Sequence, residues 1–318
     1  MNKSFFSIGR MAGLLLLGVF CQVAAAQSNL KLRDVNVRKQ ANDVLTLMTF
    51  TVVPDVTTST LSINAASTGN PALTMFTLGG GATMSRDIPV YLEGVFGYSR
   101  YDPKYVVSDG TTQSTLPLKW NSVSVSGGIG WDFRLNDELV IRPIFNISLG
   151  QVASDLKVGE FLLGRIVDRE INFINNGSLT AYGLGGSLML DWERVRPEYE
   201  FDLEARYSNI TLQTFGNTDS SVEGSSKAES VNIWTRYRAP TGLTAMQRPI
   251  RYVLEAAHTR FLSSDQAALG IENLNSLGIG LELDSSAYDL FVSRIRLVAR
   301  RIYGQTATGS SLGLAVSF

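Results

Sequence analysis

From about residue 56 to the carboxy terminus the chain alternates apolar and polar positions with a period of two, as strands with one apolar and one polar face do. The clearest stretch is 138–150, where Leu139, Ile141, Pro143, Phe145, Ile147 and Leu149 share one parity and Arg142, Asn146 and Ser148 the other. Its neighbour 119–134 sets Val123, Val125, Ile129, Trp131 and Phe133 against Ser122, Ser124, Ser126 and Asp132. In 274–284, Leu277, Ile279, Leu281 and Leu283 oppose Ser276, Gly278, Gly280 and Glu282. The same pattern predicts twelve strands, at 56–65, 71–83, 88–101, 119–134, 138–150, 177–192, 197–213, 229–239, 250–261, 274–284, 288–302 and 310–318. Most are as long as the about 9 to 11 residues that a tilted strand needs to cross a bilayer.

Loop lengths supply a second test. The connections Met84–Asp87, Leu135–Asp137, Glu193–Arg196 and Asp284–Ala287 are short, and Asp102–Leu118, Gln151–Asn176, Thr214–Ala228 and Leu262–Asn273 are long. Short and long alternate, as in barrels with short periplasmic turns and long external loops. Pro240–Pro249 is the exception, a somewhat long turn on the short side. A soluble β-sandwich has no reason to sort its loops this way. The expected fold is therefore an all-β, 12-stranded antiparallel transmembrane β-barrel.

Residues 27–55 do not fit the ladder. Val37, Ala41, Val44, Leu45 and Met48 recur at helical spacing, Asp34 or Asn36 offers a cap, and Pro54 a stop. The competing reading is an extra strand through 44–53, but that makes the strand count odd and sends the terminus to the wrong side. A short helix placed in the lumen is preferred. Ahead of it, Lys3 and Arg10 form a basic start, Met11–Phe20 an apolar core and Ala24–Ala26 a small-residue cleavage site, a cleaved export signal over 1–26. The division expected is thus 1–26 signal, 27–55 helical plug segment and 56–318 barrel.

Composition removes several alternatives. Cys21 lies in the signal, so the mature chain has no thiol for a disulfide or a metal. Loss of Lys3 and Arg10 takes the 28 basic and 29 acidic residues to 26 and 29, a net charge near −3 that gives no reason to expect nucleic acid. After the signal there is no apolar run of about 18 residues, so a helical span is not expected.

Charge concentrates in 197–213, where Glu198, Glu200, Asp202, Glu204 and Arg206 share a parity opposite Tyr199, Phe201, Leu203, Ala205 and Tyr207. A charge on the lipid face costs about 2 to 4 kcal/mol near the midplane, so this row points inward. Either it gives the lumen a field that attracts cations, or it is neutralised by Arg236 and Arg238 on the next strand and Arg294, Arg296 and Arg300 on 288–302; the second reading is preferred because unpaired buried charge is costly. The acidic row has no specialised partner for general acid–base work. The single histidine, His258, is followed by Thr259 and Arg260 and falls on the lipid-facing parity near the outer rim, among lipopolysaccharide head groups. No enzyme activity, metal site or cofactor is expected. Trp131, Trp192, Tyr199, Tyr98 and Tyr207 lie near strand ends and read as aromatic girdles.

The chain closes on Ser311-Leu312-Gly313-Leu314-Ala315-Val316-Ser317-Phe318, which places Leu312, Leu314, Val316 and Phe318 on one face. With the signal, the inner helix and the twelve strands, this layout resembles the translocator domain of autotransporters, in which a helix threads the barrel. The resemblance covers nearly the whole mature chain, yet only about 29 residues precede the first strand, so no passenger is visible. It implies a monomeric, non-enzymatic barrel of the bacterial outer membrane. It also implies that Phe318 and its row are the signal read by the barrel assembly machinery, although the Ser-Phe ending departs from the commoner aromatic-x-Phe form. Outer-membrane lipid and lipopolysaccharide are the other expected partners. Two further functions stay open: a diffusion channel for a small anionic solute guided by Arg236, Arg238, Arg294 and Arg296, and a surface binding module built on 151–176.

Overall fold

The computed structural model describes residues 45–46, 48–51, 58–64, 72–101, 104–108, 113–117, 119–154, 178–216, 224–264, 272–284, 293–305 and 308–317. Nearly all of them are strand. In chain order these are β1 (Thr58–Asn64), β2 (Ala72–Thr83), β3 (Val90–Tyr101), β4 (Lys104–Ser108), β5 (Gln113–Pro117), β6 (Trp120–Trp131), β7 (Phe133–Arg134) and β8 (Leu139–Ser154). They continue as β9 (Ser178–Val195), β10 (Glu200–Thr214), β11 (Ser225–Ala245), β12 (Arg248–Phe261), β13 (Asn273–Asp284), β14 (Arg294–Tyr303) and β15 (Thr308–Ser317).

Twelve of these strands make one closed ring. The order runs β6-β3-β2-β1-β15-β14-β13-β12-β11-β10-β9-β8, and β6 pairs with β8 to complete it. Every neighbouring pair is antiparallel, including the first and last strands, which meet with Thr58 opposite Leu314 and Asn64 opposite Thr308. β7 extends the line of β6 along β8, and β4 and β5 pair as a separate two-stranded sheet. Closure leaves no edge of unpaired N–H and C=O groups, the condition for strands to stand in hydrocarbon.

Parity sorts the side chains. On β8, Arg142, Ile144, Asn146, Ser148 and Val152 are buried in the interior and Phe145, Ile147 and Leu149 are exposed on the outside. On β13, Ile279 is 66% and Leu281 57% exposed while Glu282 is fully buried. An outer wall of large exposed apolar groups around a polar interior inverts the soluble arrangement and fits a barrel facing lipid. The twelve expected strands thus stand as a transmembrane β-barrel, with ends shifted by a few residues.

Several details differ from expectation. Pro240–Pro249 is not a loop: β11 and β12 run on to a two-residue turn at Met246 and Gln247, with φ of 53° and 62°. Both central residues of a tight hairpin turn of this hand need positive φ. The strand tolerates Pro240 because the register shifts between Pro240 and Thr244, a bulge at which Gly242 has φ of 78°. Glu198 is exposed in the turn before β10 and does not belong to the inward row. β14 begins at Arg294, and the expected turn Asp284–Ala287 lies, apart from Asp284, outside the described residues. The β4–β5 pair inside the expected loop 102–118 was not foreseen.

A closed ring of this size unravels only by breaking whole strand pairings at once. The folded protein is expected to migrate faster on a detergent gel unheated than boiled, and to give a β-dominated circular dichroism spectrum in micelles. Identical migration, or full solubility without detergent, would reject the closed membrane barrel.

Candidate functional site: the barrel lumen

The inward parity of β3, β6, β8, β9 and β10 carries small hydroxyls and a few long polar groups, and the long ones meet across the interior. Arg206 on β10 reaches Glu93 on β3 with Nη1 donating to Oε2 at 2.8 Å and Nη2 to Oε1 at 2.7 Å. Three ring strands, β9, β8 and β6, lie between them. Asn146 donates to Glu93 Oε1 at 2.6 Å, Ser187 donates to Asn146 Oδ1 at 2.8 Å, and Arg206 donates to Ser187 Oγ at 2.9 Å. The fork-on-fork geometry of guanidinium and carboxylate makes this a strong and directional tie.

Toward the end with the short turns the lumen is crossed by a denser set of ion pairs. Glu200 accepts from Arg238 at 2.7 Å, from Arg251, and from Arg294 at 2.8 Å, so one carboxylate gathers strands β11, β12 and β14 onto β10. Asp202 takes Arg236 at 2.6 Å and Arg238 at 3.1 Å. Arg296 pairs with Glu282 at 2.8 Å, Arg300 with Glu255 at 2.6 Å, and Arg251 also with Asp284 at 2.6 Å. On the other side Arg142 donates to Asp132 Oδ2 at 3.1 Å, lies 3.2 Å from Asp191, and sits over the Tyr91 ring at 3.9 Å.

The charged residues singled out in the sequence divide accordingly. Glu200 and Asp202 come together with Arg236, Arg238 and Arg294, while Arg296, Arg300 and Arg206 find other carboxylates. Glu204 forms no ion pair or hydrogen bond among the described residues, and neither does the side chain of Glu193. Missed from the sequence were Glu93, Asp132, Glu255, Glu282 and Asp284, each of which stands alone or nearly so on its strand. Only the inward parity flagged them.

At the end with the long loops the inner wall changes from charged to apolar. Met75, Trp120, Val152, Leu179, Ala181, Ile210, Leu212 and Ala228 form a buried cluster that includes Leu45 and Met48, both fully buried. Leu45, Thr46, Met48 and Thr49 are helical. Thr46 Oγ1 is 2.9 Å from Ser226 Oγ on β11, Phe50 packs edge-on against Phe261 of β12 at 5.0 Å, and Thr51 Oγ1 is 2.8 Å from Ser124 Oγ on β6. Phe261 and Gly97, which faces Thr51, stand on β12 and β3, six places apart in a ring of twelve. Adjacent residues Phe50 and Thr51 therefore touch opposite walls. Gly150 and Gly97 make the approach possible, since a Cβ at the first would collide with Met48 Cε and at the second with Thr51 Cβ. The longer helix expected upstream, with Arg38 and Lys39, lies outside the described residues.

The outer wall carries aromatic side chains at the short-turn end: Tyr199 stacks on Tyr237 at 5.8 Å, Tyr237 meets Tyr252 at 6.0 Å, and Trp192 meets Phe201 at 5.5 Å. Such belts mark the level of the lipid head groups. Leu312 and Leu314 are exposed on the same wall; the side chain of Val316 and all of Phe318 lie outside the described residues.

A closed ring, an apolar wall with an aromatic belt and a charged interior define a transmembrane β-barrel. No protein-family model matches the chain, and none of the curated proteins does. Among solved structures it resembles autotransporter β-domains. The β-domain of the Bordetella autotransporter BrkA is 12% identical with a TM-score of 0.46, over 83% of this chain and all of that one. The transport unit of AIDA-I from Escherichia coli is 14% identical with a TM-score of 0.45, over 88% of this chain and 99% of that one. The NanC porin is 11% identical with a TM-score of 0.37, over 82% and 100%.

Breaking one partner of a buried, hydrogen-bonded pair costs about 3 to 5 kcal/mol. Arg206→Ala is expected to lower the stability of the folded barrel by that order in urea titrations followed by tryptophan fluorescence. Glu93→Ala with Arg206→Ala together should cost less than the sum of the two single changes. Additive losses would show that the two side chains do not meet.

Proposed function

We propose that the chain is a non-enzymatic barrel of the bacterial outer membrane, exported by a cleaved signal, whose lumen is occupied by its own segment 27–55. It would be a translocator-like unit. The observation that supports this most is the crossing of the lumen by Phe50 and Thr51 over an inner wall that is apolar at that level. An apolar wall left facing water would be unfavourable, by about 25 cal/mol for each Å² exposed, and Leu45 and Met48 cover part of it. The row Leu312, Leu314, Val316 and Phe318 is the segment we assign to the barrel assembly machinery, and the unit is taken to act as a monomer.

The channel for an anionic solute has less support. Arg236, Arg238, Arg294 and Arg296 would have to offer free guanidinium groups, and each is engaged by Asp202, Glu200 or Glu282. The segment proposed as a surface binding module, 151–176, lies beyond Ser154 outside the described residues.

Planar-bilayer conductance of the protein refolded with and without residues 29–50 tests the reading. Twelve strands enclose an interior between the side-chain-filled eight and the water-filled sixteen, so removing a helix-sized segment should raise conductance several-fold. Both forms must keep heat-modifiable migration. Equal conductance from two folded forms would place the segment outside the conduction path and return the channel reading to first place.

A further inference from the structure

The outer wall of β12, β13 and β14 changes character toward the long-loop end. Along the paired registers, the rows Tyr252, Leu281, Leu297 and then Leu254, Ile279, Ala299 are apolar except for the tyrosine hydroxyl. The next rows are Ala256, Leu277, Arg301, then His258, Asn275, Tyr303, and last Arg260 with Asn273. Arg301, His258 and Arg260 are all exposed on this wall. His258 Nδ1 shares a 2.8 Å hydrogen bond with Asn275 Oδ1. Among the described residues no carboxylate pairs with Arg260 or Arg301.

The short-turn border of the barrel, seen at β8 and β9, is treated differently. There Arg194 donates to Glu138 at 2.9 Å and Arg196 joins the same carboxylate at 2.7 Å. The Arg194 guanidinium, and then that of Arg196, hold the Glu138 carboxyl below the usual carboxylate range. At the short-turn end the chain supplies the anion that its outer-wall arginines bind; at the opposite border Glu229 accepts from Tyr207 at 2.8 Å and, among the described residues, pairs with neither Arg260 nor Arg301, so that a guanidinium bordering hydrocarbon there is stabilised by an external anion.

We propose that Arg260, Arg301 and His258 form a headgroup site for a phosphate-bearing lipid in the leaflet at the long-loop end. The acyl chains would lie along the apolar rows beneath, which is why a membrane lipid suits the surface better than free phosphate. Arg260 and Arg301 are two strands and four residues apart in register, about 16 Å between Cα atoms from ordinary strand spacing. That separation suits a headgroup with two phosphates, one forked by each guanidinium, more than a single phosphate. The site is on the outer wall and does not depend on what fills the lumen.

The test uses the folded full barrel in a neutral detergent, titrated with bisphosphorylated lipid A, monophosphorylated lipid A, phosphatidylcholine and inorganic phosphate. Binding is read by native mass spectrometry. The bisphosphorylated lipid should bind most tightly, Arg260→Ala with Arg301→Ala should weaken it at least about tenfold, and Arg194→Ala should leave it unchanged. Should the double variant fail to fold, Arg260→Gln and Arg301→Gln singly are each expected to lose about fivefold. Unchanged affinity in folded variants, equal binding of phosphatidylcholine, or displacement of the lipid by inorganic phosphate would overturn the proposal.

Discussion

Hydrocarbon offers no partner to a backbone amide, and that constraint organises this protein. Because β6 closes on β8 and β1 on β15, every ring strand has a neighbour on both sides. Closure then fixes parity. Once Phe145, Ile147 and Leu149 face lipid, Arg142, Asn146 and Ser148 have no choice but the interior, and the same holds around the ring. The polar lumen is the consequence of satisfying the backbone in lipid, and its charges must be settled there among themselves.

They are settled in two ways along the barrel. Near the short turns, arginines on β11, β12 and β14 converge on Glu200, Asp202, Glu282 and Asp284, so each removed side chain would strand a partner. In the middle, Arg206 and Glu93 tie β10 to β3. Near the long loops the wall needs an apolar cover instead, and Leu45 and Met48 stand against it. The two ends of one lumen therefore hold their contents by different forces, salt bridges below and hydrophobic contact above.

Strand positions were legible in the sequence because an extended chain with two unlike faces is what sustains a period of two over about ten residues. The 138–150 strand starts one residue later and continues at its outer end to Ser154. Pro240 misled because a proline in a strand argues against it unless a bulge accommodates the missing donor, and bulges leave little trace in sequence. The acidic row was visible as a run of alternate carboxylates, but the other lumen acids were not: Glu255 is the one acid of β12 and Glu282 shares β13 only with Asp284, and they meet Arg300 and Arg296 only through the ring register. Glu204 shows the converse. It belongs to the legible row and ends with no ion pair among the described residues, since Trp234, not an arginine, stands opposite it on β11.

The proposal of an occupied lumen requires that the segment before β1 cross it. A chain beginning at Gln27 has no cysteine, so a pair can be introduced without background. Thr51 and Ser124 place their hydroxyls 2.8 Å apart, close enough for Thr51→Cys and Ser124→Cys to bridge. Oxidation of the folded double variant should give a disulfide in most molecules, seen as a mobility shift reversed by reductant, whereas Thr51→Cys with Ser62→Cys should give none. Two free thiols in a folded Thr51→Cys, Ser124→Cys barrel would contradict the crossing directly.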